Sequence, residues 1–157
     1  MKIDWIEPGV LAASGIPINQ ADLQSLRDQG VGAVVSFTEH PLTTFREITP
    51  ATFDTLGLTY FHAPIDDGHP PDLETTRNVL SFIDAMTTQG KATLVHCHAG
   101  IGRTGTMLHA YYVGRGISLD EAKKKVRASR PACAFLILSE SQRAFLTDFA
   151  TLTASGS

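Results

Sequence analysis

Cys97 and Arg103, with five residues between them, are the pair in this chain whose types and spacing carry chemistry. They lie in KATLVHCHAGIGRTGT, Lys91 to Thr106. A cysteine thiolate is a strong nucleophile, and a guanidinium presents a planar fork of donors that matches a tetrahedral oxyanion. His98, Ala99, Gly100, Ile101 and Gly102 separate the two, and the glycines let the backbone curl until successive N–H groups converge on one point. His96 precedes the cysteine and Thr104 follows the arginine. Such a loop holds a dianion, and its positive field favours the thiolate over the thiol, so the nucleophile forms where its target binds. An attack that expels an alcohol or phenol also needs a proton for the departing oxygen. Pro64 to Pro71 is a loop on proline and glycine grounds, and it offers Asp66 and Asp67.

Elements of defined type must position these groups. Ala92 to Val95 is apolar and partly β-branched, as in a buried strand, and Met107, Leu108, Tyr111, Tyr112 and Val113 recur at helical spacing. The central unit is therefore strand, tight loop, helix, with His96 bonding backbone to fix the loop. Upstream, two short strands flank Pro8-Gly9, and Asn19 caps a helix to Gln29 with Leu23 and Leu26 inward and Gly30 as terminator. Val31 to Phe37 reads as a central strand and Leu58 to Ala63 as another. Between them Thr49-Pro50 opens a short helix carrying Phe53 and Leu56. Asp72 caps a helix with an inward stripe of Leu73, Val79, Leu80, Ile83 and Met86, ended by Gly90. Capping boxes at Ser118 to Glu121 and Ser139 to Gln142 start two further helices, the first stopped by Arg130-Pro131 and carrying Lys123 to Lys125 in water. Helices alternating with strands predict one α/β domain over 1–157, a central sheet covered on both faces, with a loose tail at 154–157.

The run HCHAGIGRTG resembles the signature loop of the protein-tyrosine-phosphatase superfamily, in the spelling of its dual-specificity and cell-cycle branches. DWIEPGVLAASGIP is similar to the first segment of small dual-specificity phosphatases. The resemblance covers nearly the whole chain. It implies a mostly parallel mixed sheet of about five strands, and hydrolysis of phosphotyrosine and of phosphoserine or phosphothreonine in proteins through a phosphocysteine, without a cofactor. It implies that Thr104 donates a hydrogen bond to the sulfur and that Asp67 is the acid, with Asp66 its neighbour. The family's tail carries a glutamine soon after Arg-Pro that positions water; Gln142 comes later than that, and capping is its other reading. Cys133 is either a redox partner of Cys97 or a small buried residue. Lysines that hold extra phosphates in the inositide branch are replaced here by His98 and Ile101.

Composition bounds the alternatives. The 157 residues suffice for one core, and 43% hydrophobic with 18% charged residues is ordinary for a globular chain. A net charge of −3 gives no basic face for nucleic acid, which counts against an RNA 5′-phosphatase. Two cysteines make no disulfide framework, and MKIDWIEPG lacks the apolar core of a signal peptide, so a cytoplasmic monomer without membrane contact is expected. His96, Cys97 and His98 are adjacent and project to opposite sides, a poor set for a metal ion. A phosphate-binding pseudoenzyme would lack Cys97, Arg103 or the acid, and a sulfurtransferase would lack the Gly-Arg-Thr-Gly ending.

Overall fold

The computed structural model describes residues 1–156. Its sheet has five strands: β1 (Asp4–Glu7), β2 (Leu11–Ser14), β3 (Val31–Ser36), β4 (Thr59–His62) and β5 (Ala92–His96), in the order β1-β2-β5-β3-β4. Only β1 and β2 are antiparallel, joined through the Pro8-Gly9 turn; β2, β5, β3 and β4 run parallel. This is the mostly parallel mixed sheet that the resemblance implies.

Successive side chains of a strand point to opposite faces, and here both faces are dry. Leu11, Ala13, Val35 and Val95 pack into one core with α3 (Leu73–Thr88), α4 (Gly102–Gly114), α5 (Leu119–Ser129) and α6 (Glu140–Ala154). Ala12, Val34 and Leu94 pack into the other with α1 (Gln20–Asp28) and α2 (Pro50–Leu56). Helix α4 is buried from Arg103 through Val113, which is why it shows no polar stripe.

The caps read from the sequence are present. Asn19, Asp72, Ser118 and Ser139 each accept a hydrogen bond from a first-turn amide, and such a cap contributes about 1 kcal/mol. Thr49 and Thr52 form a further capping box at α2. The run before α2, opaque in the sequence, forms one 3-10 turn at Leu42–Thr44 and buries Leu42 and Ile48. Helix α6 continues through Ala154, so the first residue of the predicted tail is helical; Ser157 lies outside the described residues.

The strand ends set the site. Ser14, His96, Ser36 and His62 share one line of register across β2, β5, β3 and β4. Each is the last residue of a parallel strand, so the loops that follow all leave at the same edge, where open α/β sheets hold their ligands.

Candidate active site

Cys97 is the first residue beyond β5 and is 3% exposed. Thr104 Oγ1, on the first turn of α4, donates to its Sγ at 3.2 Å. The loop between them turns its carbonyls away from the hollow. His96 Nδ1 donates to Cys97 O at 2.9 Å, and Ile16 N donates to His98 O at 3.0 Å. A trans peptide sets the next N–H opposite its C=O, so these two contacts face the His98 and Ala99 amides inward. His98 and Ala99 are exposed, His98 at the cleft it shares with Asp67 and Arg103, whereas Gly100 is buried.

His96 is itself held by a directed chain. A carbonyl only accepts, so Nδ1 carries the proton and Nε2 is the acceptor. Ser36 Oγ lies 2.5 Å from Nε2 and donates to it; Tyr60 Oη donates to Ser36 Oγ at 2.8 Å; Leu42 N donates to Tyr60 Oη at 2.9 Å. Burial pushes the imidazole pKa down to about 4, and the neutral ring is the form this chain requires.

Arg103 is 4% exposed and its Nη1 is crowded with acceptors: Ile65 O at 3.0 Å, Phe37 O at 3.3 Å and the Glu39 carboxylate. Its Nη2 lies 3.6 Å from Asp67 Oδ1. Its Nε is buried and has no partner among the described residues, a donor open to an acceptor from outside the chain. Glu39 lies in the turn that leaves β3. Its own backbone amide first, and Arg103 second, hold its carboxyl below the ordinary value.

The two loop aspartates separate. Asp67, with an 83% exposed side chain, stands with Glu39 and Arg103 at a cleft of about 390 Å³ whose apolar wall includes Ile16 and Phe45. Asp66 lines a different cavity with Pro64, His69 and Asp72. The loop is tied to the start of α6: Ser139 Oγ donates to Gly68 O at 2.8 Å and Gln142 Nε2 donates to His69 O at 3.3 Å. Gln142 is 1% exposed, and a Cβ on Gly102 would come within 3.2 Å of its Nε2. It therefore closes its capping box and also lies between the acid loop and the signature loop. Cys133 is buried, and burial pushes its thiol up to about 11, so it stays protonated; Sγ donates to Gly100 O at 3.2 Å. Among the described residues, no group of three or more His, Cys, Asp or Glu is placed to hold a metal ion, and no helix is long and apolar enough to cross a membrane.

A five-stranded sheet with a Cys-to-Arg loop between its central strand and a buried helix defines a small dual-specificity-like member of the protein-tyrosine-phosphatase superfamily. Residues 9–117 match the family described as "Polymorphic toxin system, DSP-PTPase phosphatase", and the chain belongs to that family. It is 31% identical to tyrosine-protein phosphatase cdcA of Emericella nidulans over 111 residues, 69% of this chain and 18% of that protein. It is also 31% identical to dual specificity protein phosphatase 2 of Mus musculus over 114 residues, 71% of this chain and 33% of the relative. The chain thus spans a third or less of the length of these relatives. Among solved structures, Tk-PTP in its active form superimposes with a TM-score of 0.80 at 28% identity, over 95% of this chain and 96% of that one. PTPMT1 in complex with PI(5)P shares the fold, with a TM-score of 0.82 at 22% identity over 99% of each chain.

Proposed function

We propose that the chain hydrolyses phosphomonoesters in proteins, on tyrosine and also on serine or threonine, through a phosphocysteine on Cys97. The observation that carries this reading is the Thr104 hydroxyl on the Cys97 sulfur, at the start of a curled loop whose carbonyls are held from outside and which ends on the buried Arg103. The substrate's equatorial oxygens take the loop amides and the Arg103 fork. Cys97 attacks in line; the S–P bond forms as the P–O bond to the leaving group breaks, and Asp67 gives that oxygen its proton. Asp67 then takes a proton from the water that attacks the phosphocysteine, with Gln142 orienting the water. Thr104 stabilises the departing thiolate. The Arg103 contact of Asp67, and the separate cavity of Asp66, support this division of roles.

The cleft also favours a protein monoester over a phosphoinositide. Its wall carries the Glu39 carboxylate beside Arg103, and a like charge there opposes a second phosphate. The partner is a phosphorylated protein or peptide, met by a monomer in the reducing cytoplasm.

The test is turnover of an aryl phosphate by the full chain in excess chelator, with Cys97→Ser in parallel and a panel of phosphopeptides, phosphoinositides and 5′-phosphorylated RNA. Wild type should be active in chelator and prefer phosphopeptides, and Cys97→Ser should lose turnover while still binding tungstate. Activity that survives Cys97→Ser overturns the mechanism, and a preferred inositide or RNA overturns the substrate class.

A further inference from the structure

The middle of the loop is held from behind by Arg130, Asp4 and Cys133. Arg130 Nε donates to Gly100 O at 3.0 Å, and its Nη1 binds Asp4 Oδ2 at 2.7 Å. Arg130 is 13% exposed and Asp4 31%. Cys133 Sγ donates to Gly100 O at 3.2 Å and reaches Ile101 O at 3.5 Å. Gly100 has a φ of 74°, and a Cβ there would fall 2.3 Å from Ser14 O and 2.6 Å from Arg130 Nη2. The loop backbone therefore lies directly on the guanidinium.

Peptide geometry turns these contacts into a statement about the hollow. All peptide bonds of the described chain are trans. A carbonyl of Gly100 held back by Arg130 and Cys133 sets the Ile101 N–H forward; the Ile101 carbonyl is held separately, by Gly105 N of α4 at 2.7 Å. Asp4 decides which way the fork faces: with Nη1 engaged by a carboxylate on β1, the Nε edge is left for Gly100 O. Without such donors, a peptide flanked by glycine is free to rotate and present its carbonyl to the oxyanion instead.

We infer that Asp4, Arg130 and Cys133 are positioning residues for the oxyanion hollow: they hold the Gly100 carbonyl back and so aim the Ile101 amide at the phosphoryl oxygens. The inference rests on the proposed reading of the loop as the phosphate site. It ties that site to β1, at the far edge of the sheet, and to the end of α5. Amides aimed in advance act most on the charge that develops at phosphorus, so their loss lowers kcat more than it raises KM.

Five variants of the full chain test it: Arg130→Met, Arg130→Lys, Asp4→Asn, Cys133→Ala and Cys133→Ser. The measurements are kcat and KM on p-nitrophenyl phosphate, tungstate affinity by calorimetry, and a thermal melt. Arg130→Met should lower kcat about 10²-fold and weaken tungstate about tenfold, as loss of an oxyanion donor does. KM should move only severalfold. Arg130→Lys should not rescue, because an ammonium cannot serve Gly100 O and Asp4 with a fixed fork. Asp4→Asn should give a smaller loss of the same kind, and Cys133→Ser should restore what Cys133→Ala loses. Tungstate affinity and kcat unchanged within about twofold in Arg130→Met and Asp4→Asn overturn the inference. So does a loss that follows the fraction unfolded in the melt. If Arg130→Met does not fold, Asp4→Asn and the Cys133 pair decide. A wild type that binds tungstate without hydrolysing the ester defeats the proposed function alone, and the affinities still test the positioning; a wild type that binds no tungstate defeats both.

Discussion

The loop after β5 and the loop after β4 meet across the cleft, and they are held on different terms. The first is braced, with donors behind the carbonyls of Cys97, His98, Gly100 and Ile101 and a guanidinium that is 4% exposed. The second carries its carboxylate into water, with Asp67 83% exposed; it is tied at Ile65 by Arg103 and Phe37, and beyond Asp67 where Ser139 and Gln142 reach Gly68 and His69. The two tasks explain the contrast. An oxyanion hollow works only if its donors are in place before charge develops, so it is fixed by several independent contacts. An acid needs reach and a proton, and a leaving group that is already good needs it little.

Loss of the rigid side should be felt on every substrate. Arg103→Lys keeps the charge but loses the fork, so kcat/KM should fall about 10³-fold on aryl and alkyl phosphates alike. Steady-state kinetics on both ester classes check this, and a fall confined to one class would break the contrast.

The rigid side also carries a pH cost, through His96. Between pH 6.5 and about 4 the unfolded chain binds a proton that the buried ring refuses, so stability falls as pH falls through that window. The contribution is complete above pH 6.5, and about 3 kcal/mol is lost by pH 4. His109, lowered mainly by burial, adds in the same direction. Urea denaturation across this range should show the loss, and His96→Asn should flatten the slope by about one proton. A variant with an unchanged slope would place the proton uptake elsewhere.

Loss of the exposed side should depend on the substrate. Asp67→Asn should slow alkyl phosphates about 10²-fold and nitrophenyl phosphate far less, and should flatten the alkaline limb of the pH–rate profile. Asp66→Asn should leave both nearly as they are, because Asp66 faces another cavity. If the two variants exchange behaviours, Asp66 is the acid and the loop turns over in the working state.

Legibility in the sequence follows the same divide between local and distant contacts. The strands, the caps at Asn19, Asp72, Ser118 and Ser139, and the stretch from Cys97 to Thr104 were readable because each is specified by neighbours within one element or one turn. Periodicity reveals which residues are buried but not which strand lies beside which, so the order β1-β2-β5-β3-β4 was not readable. Asp67 could be favoured over Asp66 only through a family pattern, since both fit a turn. Glu39 joins Arg103 across 64 residues, and Arg130 joins Asp4 across 126; nothing in the spacing of such pairs marks them. Arg130 beside Pro131 read simply as a helix stop. Gln142 read as a cap, which it is, and its second contact with the acid loop depends on a fold that brings His69 to it across 73 residues.

The position of β5 in the sheet sets an order of assembly. It is the last strand in the chain and the middle one in space. Until it is made, β1 with β2 and β3 with β4 are two separate ribbons with no backbone ladder between them. β5 joins them by pairing with both β2 and β3, and the residue that follows it is Cys97. Arg130, Cys133 and Gln142 come later still, so on the ribosome, at about 5–20 residues per second, the thiol precedes by seconds the groups that enclose it. Closure of the sheet thus becomes possible before the groups behind the loop exist, and on the proposed reading a nascent chain carries the reactive atom before it carries the reactivity.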